Sequence, residues 1–274
     1  MAGVVEGYAP GWTGDAVAMM SARSASERAG FVLAELDPAT VVLDVGCGPG
    51  SISLGLADVV APTGRVVGID AQASQVQAAA EDARRSGAGN AQFVVASAYA
   101  LPVREHSVDV YFSHALFEHL SRPWDALGQA RRVLRDGGLL AVAASDWSRA
   151  EFDPYTDDVA VAMSGHYELR RRAGGDPFAG GRLVAQAAEA GFTVMTHGSE
   201  HRVDLGYREL ADYVALRLSS ALRNDPNDRM LATAQEAALR WQRTEGVIRQ
   251  CWTHVLACAP VTADHVAGAP RRSW

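Results

Sequence analysis

Short apolar runs separated by amphipathic stretches set the rhythm of this chain. Residues 41–45, 65–69, 92–95, 108–112 and 139–144 are brief runs rich in Val and Leu, which predicts buried parallel strands covered on both faces. Between them, 51–60, 74–86 and 124–134 have helical character, the last with Leu127, Ala130, Val133 and Leu134 along one side. Strand and helix alternate, as in a doubly wound α/β sheet. A helix over 24–36 precedes the first strand, offering Phe31, Val32, Leu33 and Leu36 to one sheet face, and Asp37-Pro38 ends it.

The pattern changes after the fifth run. Residues 150–175 are polar and partly helical, Asp176-Pro177 introduces a helix over 181–190, and Gly191 suits its C-terminal cap. Residues 192–195 and 247–258 predict a sixth and a seventh strand. The stretch between them, 207–246, reads as helical and is broken at Asn224-Asp225-Pro226-Asn227. The expectation is an α/β fold whose seven-stranded, mostly parallel sheet has helices on both faces and a late helical cap insertion. An N-terminal arm (1–23) would precede one domain (24–260) with helical insertions at about 150–178 and 207–246, followed by a tail (261–274).

Composition narrows the function classes. The 274 residues are 48% hydrophobic and 21% charged, enough apolar material for one large core. No apolar run approaches the roughly 20 residues that cross a bilayer, and the first ten residues lack the basic start and apolar stretch of a secretory signal. A cytoplasmic protein without a membrane partner is expected. Cys47, Cys251 and Cys258 cannot all pair, and none has zinc-ligand spacing, so neither disulfides nor a metal are expected. The net charge of −7 disfavours a nucleic acid partner. Arg131-Arg132 and Arg170-Arg171-Arg172 read as solvated helix faces.

Val41 to Gly50, VVLDVGCGPG, carries the chemistry: a strand runs into a glycine turn and then a helix. Gly46 and Gly48 remove the Cβ atoms that would hold a ligand off the backbone, and Asp44 places a carboxylate at the strand end, better suited to an ammonium than to a pyrophosphate. The spacing G-x-G-x-G is not the dinucleotide pattern, and no phosphate-loop lysine follows. Asp70 closes the second strand, where a carboxylate can accept from ribose hydroxyls.

These segments, with Gly68-Ile69-Asp70, Ala98-Tyr99-Ala100-Leu101-Pro102, Ser107-Val108-Asp109-Val110, Phe117-Glu118-His119-Leu120 and Arg132-Val133-Leu134-Arg135-Asp136-Gly137-Gly138, occur in the order of the motifs of class I methyltransferases. The chain resembles that Rossmann-like, S-adenosylmethionine (SAM) dependent family, and most of all its ubiquinone/menaquinone-biosynthesis type, over roughly residues 24–148. The resemblance implies SAM as cofactor and S-adenosylhomocysteine as product. It places Asp44 near the SAM amino group, Gly46 and Gly48 against methionine and ribose, Asp70 on the ribose hydroxyls, and Ala71 and Gln75 near adenine. Ser97, Ala98 and Tyr99 would flank the other adenine face, with Ser97 standing where many relatives carry Asp. Ser113 and His114 would lie at the methionine end, by the acceptor entrance.

The implied reaction is methyl transfer to a small-molecule acceptor, chiefly by positioning. His114 is the candidate base with a motif-based reason to be near the methyl donor; His119, His166, His197 and His201 are the other imidazoles considered. Tyr8 could close over the site as a lid or be an ordinary surface residue. Tyr207, Tyr213, Leu216, Leu218 and Trp241 of the late insert serve either helix packing or an apolar acceptor pocket. Glu151, Asp153, Asp157 and Asp158 read as a solvated acidic surface. A SAM-binding regulator, or a non-methylating enzyme on the same fold, is the rival reading; a protein or RNA methyltransferase fits the acidic charge less well.

Overall fold

The computed structural model describes residues 20–261. Tyr8 and most of the predicted arm and tail lie outside them. In chain order, two short helices, α1 (Ala25–Arg28) and α2 (Gly30–Leu33), precede β1 (Val41–Val45), α3 (Ser51–Val60), β2 (Arg65–Asp70), α4 (Ala73–Ser86) and β3 (Ala91–Val95). Then come β4 (Val108–His114), α5 (Pro123–Val133), β5 (Leu134–Asp153), α6 (Asp157–Arg172), α7 (Leu183–Glu189) and β6 (Thr193–Arg202). The last described elements are α8 (Tyr207–Asn224), α9 (Arg229–Trp241) and β7 (Val247–Cys258).

The seven strands form one sheet in the order β3-β2-β1-β4-β5-β7-β6. β1 to β5 are parallel, while β7 runs antiparallel between β5 and β6. Strand order reverses between β1 and β4, which opens a crevice at the carboxyl ends of those strands. The two faces are legible residue by residue on β1: Leu43 packs with Tyr111, Leu127 and Leu140 on one side. Its neighbour Val42 packs with Ile52, Leu56, Val66 and Phe112 on the other.

Three elements depart from the sequence pattern. The predicted helix over 24–36 is two short helices. β5 does not stop at Ala144 but continues through the segment expected to begin an insertion, pairing Glu151 and Asp153 with Arg249 and Val247 of β7 across a bulge. Its polar residues are tolerated because they are bonded: Ser145 and Asp146 are each 1% exposed, and Asp146 accepts from the Ser148 amide and hydroxyl. β6 extends to Arg202 rather than ending near Met195.

The two helical stretches come together as one cap over the β5–β7 side of the sheet. α6, α8 and α9 share a core of Val159, Met163, Leu210, Val214, Leu218, Leu231 and Trp241 with Trp147 and Ile248 from the sheet. Tyr207, Leu218 and Trp241 are therefore packing residues, whereas Leu216 faces solvent. Gly165 sets the closest approach in the cap, since a Cβ there would lie 2.3 Å from the Ala234 Cβ. Gly165→Leu is expected to destabilise the protein by about 1–3 kcal/mol through overpacking, measured as a lowered urea midpoint at unchanged slope.

Candidate functional site

The glycine turn after β1 is held from two sides. Gly46, Gly48 and Gly50 all have positive φ (79°, 52° and 83°), a region that L side chains avoid. The Gly46 and Cys47 amides donate to the Ile69 carbonyl of β2 at 2.7 and 3.0 Å. A Cβ on Gly46 would meet the Leu116 side chain at 3.1 Å, and one on Gly50 would meet the Ala79 Cβ at 2.7 Å. Gly46 and Gly50 are thus required by the protein's own packing. Gly48 differs: its Cβ would approach only Met20 Sδ, at 3.5 Å, so it is the glycine that opens the turn to a ligand.

Asp44 is 2% exposed and accepts from Ser53 Oγ of α3 at 2.5 Å. Burial pushes its carboxyl up to about 7, with Ser53 opposing the shift and the Asp70 charge reinforcing it. A carboxylate left so weakly compensated suits a ligand cation, in keeping with the amino group the resemblance assigns to it. Asp70 Oδ2 accepts from the Gly48 amide at 2.9 Å and Oδ1 from the Gln72 amide at 2.8 Å. Burial raises its carboxyl, and the amides of Gln72, Gly48 and Ala71 oppose the shift. Asp70 therefore braces the glycine turn as well as facing the crevice, a duty its sequence position did not reveal.

The other predicted residues lie on α4, on the segment after β3 and at the end of β4. Gln75, in the first turn of α4, is 4% exposed, and its Oε1 has no partner among the described residues. Ala71 is exposed beside it. Ser97 Oγ accepts from the Tyr99 amide at 3.2 Å, and the Arg122 guanidinium lies 4.4 Å from the Tyr99 ring centroid, fixing the segment that includes Ala98.

Ser113 and His114 close β4, and Ser113 Oγ is buried without a described partner. Ala115 follows with φ 58°, a conformation uncommon for a residue with a side chain, and turns the chain into a second space.

That second space is a pocket of about 240 Å³ between the end of β4, the carboxyl-terminal half of β5, the amino-terminal half of the antiparallel β7 and the cap. Trp147, Tyr213, Trp252 and Leu210 give it apolar walls; Glu118, His119, His166 and Arg170 give it a polar end. Of the late-insert residues predicted either to pack or to line a pocket, Tyr213 lines it. His197 and His201 sit on β6 and are not among the lining residues.

Glu118 is 2% exposed, and its Oε1 accepts from the Ser145 amide at 3.3 Å and hydroxyl at 3.0 Å. Burial raises the Glu118 carboxyl against the pull of Arg170. Burial, reinforced by Arg170, Arg23 and His166, holds His119 well below the usual imidazole range, and with Arg170 and Arg217 it brings His166 down to about 3. His114 is likewise held neutral, by burial first and then by Arg23, Arg28 and Arg202. Its ring stacks on Trp252 at 4.7 Å between centroids.

Arg170 corrects the reading of 170–172 as a solvated face. Arg171 and Arg172 are half-exposed and pair with Glu168, but Arg170 is only 7% exposed. The signal lay in the helical period: Val159, Ala162, Met163 and His166 form a buried stripe that Arg170 extends by one turn. The acidic residues predicted as one solvated surface are dispersed, Glu151 pairing with Arg249 and Asp158 with Arg240. Among the described residues, no cluster of three or more His, Cys, Asp or Glu could hold a metal, and no helix is long and apolar enough to cross a membrane.

Residues 36–171 match a family model described as a methyltransferase domain. An uncharacterized methyltransferase of Schizosaccharomyces pombe is 28% identical over 226 residues, covering 77% of this chain and 80% of the relative. An uncharacterized 37.1 kDa transposon protein of Streptomyces fradiae is 33% identical over 159 residues, or 58% of this chain; the match spans 45% of that relative's length. Among solved structures, a Bacillus halodurans protein described as a candidate methyltransferase superposes with a TM-score of 0.60 at 17% identity, covering 90% of this chain and all of that one.

Asp44 gives this site a pH signature. A ligand ammonium seated on Asp44 would favour the ionised carboxylate and so lower a group that burial pushes up to about 7. Affinity for S-adenosylhomocysteine should then be full above pH 7 and decline by up to about tenfold per unit as pH falls below it. Calorimetry from about pH 8 to about pH 6 checks this, and Asp44→Asn should both weaken binding and flatten the dependence.

Proposed function

Residues 36–171 belong to the methyltransferase-domain family, the class I proteins that use SAM; from that premise we propose that this protein transfers the SAM methyl group to a small-molecule acceptor held beneath the cap. The observation that carries the reading is the junction at the end of β4. Ser113 and His114 close the strand beside β1 and its glycine turn, and the next residue, Ala115, lines the pocket. A donor seated on the turn would present its reactive end to an acceptor in the pocket.

SAM, when bound, supplies a methyl group on a sulfonium that needs no further activation. The protein's work is placement and exclusion of water. Asp44 takes the ammonium, Gly48 admits the ligand to the backbone, and Asp70 accepts from the ribose hydroxyls while keeping the Gly48 amide in place. Gln75 and the 97–99 segment flank the adenine. His114, neutral and stacked on Trp252, orients the acceptor side instead of serving as a base tuned to neutral pH.

Three outcomes are expected. Incubation with labelled SAM and a panel of small-molecule acceptors should give S-adenosylhomocysteine and a product one CH2 heavier, read by mass spectrometry; SAM retention without acceptor-dependent turnover would overturn the assignment. With an acceptor identified, His114→Ala should slow single turnover at saturating SAM by less than about tenfold, whereas loss of a general base would cost about 100-fold or more. The second variant whose effect follows from the site is Asp70→Asn, which should weaken S-adenosylhomocysteine by about 1.5–3 kcal/mol in calorimetry, the range for a charge-assisted hydrogen bond.

A further inference from the structure

We infer that the acceptor pocket is built for an organic carboxylate with an apolar body, its carboxylate received by Arg170 and the Trp147 indole N–H. This names the acceptor class for the function proposed above and rests on that reading of the pocket.

Charge accounting around the pocket singles out one residue. Arg28 forms two bonds to Asp204, at 2.6 and 3.2 Å, and Asp204 also takes the Trp252 indole N–H at 2.7 Å, so that carboxylate is already committed. Glu118 has one oxygen occupied by Ser145 and the other buried without a described partner, and burial raises its carboxyl against the pull of Arg170. Arg170 makes no ion pair within 4.0 Å among the described residues. Its one described side-chain partner is His119 Nε2, at 3.4 Å, on an imidazole held neutral by its surroundings. A guanidinium that is 7% exposed and makes no ion pair within 4.0 Å among the described residues is costly, because it gives up hydration while the neighbouring Glu118, on which it pulls, compensates it only at a distance.

Two donors there are also unused. Arg170 Nε and Trp147 Nε1 are both buried without a hydrogen-bond partner, and both residues line the pocket. Arg217, close enough to add to the burial that lowers His166 and to oppose the burial that raises Tyr213, brings positive charge from α8. The planar fork of an arginine matches a carboxylate, and an indole N–H can only donate. Tyr213, Leu210, Trp252 and the Trp147 ring then supply the apolar walls for the rest of the molecule.

The test uses near-isosteric pairs in which a neutral amide, with one acceptor oxygen exchanged for a donor NH2, replaces the carboxylate: benzoate and benzamide, phenylacetate and phenylacetamide, cinnamate and cinnamamide. Binding to the full-length protein saturated with S-adenosylhomocysteine is followed by calorimetry near neutral pH. At least one acid should bind about tenfold more tightly than its amide, the scale of a charged hydrogen-bond pair. Arg170→Gln should erase that preference, Arg170→Lys should retain part of it, and Trp147→Phe should weaken the acid more than the amide. Equal binding of acid and amide in every pair, or no binding by any acid, overturns the inference, as does a preference that survives in Arg170→Gln. S-adenosylhomocysteine affinity, measured first on each protein, separates the two readings: its absence in the wild type defeats the methyltransferase proposal, while its presence without a charge preference defeats the carboxylate alone. A variant that has lost it is judged unfolded, and the Lys and Phe variants then decide.

Discussion

The bond from the Gly48 amide to Asp70 is the interaction on which the glycine turn depends. It joins the end of β2 to a turn in which three glycines adopt positive φ, a shape with little intrinsic preference of its own. With the Ile69 carbonyl receiving two further amides, the turn is pinned to its neighbouring strand before any ligand arrives. That arrangement explains the burial of Asp44. Ser53, one turn into the helix that the glycines launch, supplies its hydrogen bond, and the missing counter-charge is left for a ligand. A preorganised turn spends less ordering entropy on binding than a loop would.

The pocket half obeys a different constraint. Its shape comes from aromatic side chains on β5, β7 and α8, and its polarity from a few groups that the cap and β4 side push out of water. Burial drives Glu118 towards its protonated form and the imidazoles of His114, His119 and His166 towards their neutral ones. Arg170, 7% exposed, sets a guanidinium among them.

The alternating elements, the glycine turn and the late cap were legible because each depends on local signals: apolar period, capping glycines and a strand-end carboxylate. What escaped the sequence depends on distant partners. The extension of β5 to Asp153 is invisible in the polar string Ser145-Asp146, since those residues are buried only by virtue of Glu118 and Ser148. Asp70's bracing bond crosses from one strand to the next. Arg170 sits in a basic triplet whose composition suggests a wet surface, and only its alignment with His166 and Met163 separates it from Arg171.

The connectivity of the cap limits how this protein can exchange its ligands. α6 follows β5 and leads on to α7, and α8–α9 lie between β6 and β7, so the roof joins the sheet directly at three points drawn from two separate excursions of the chain. A door hung on one hinge swings; a panel fastened at its corners does not. Met20, Ala22 and Arg23, which precede α1, form a part of the chamber wall that belongs neither to the sheet nor to the roof.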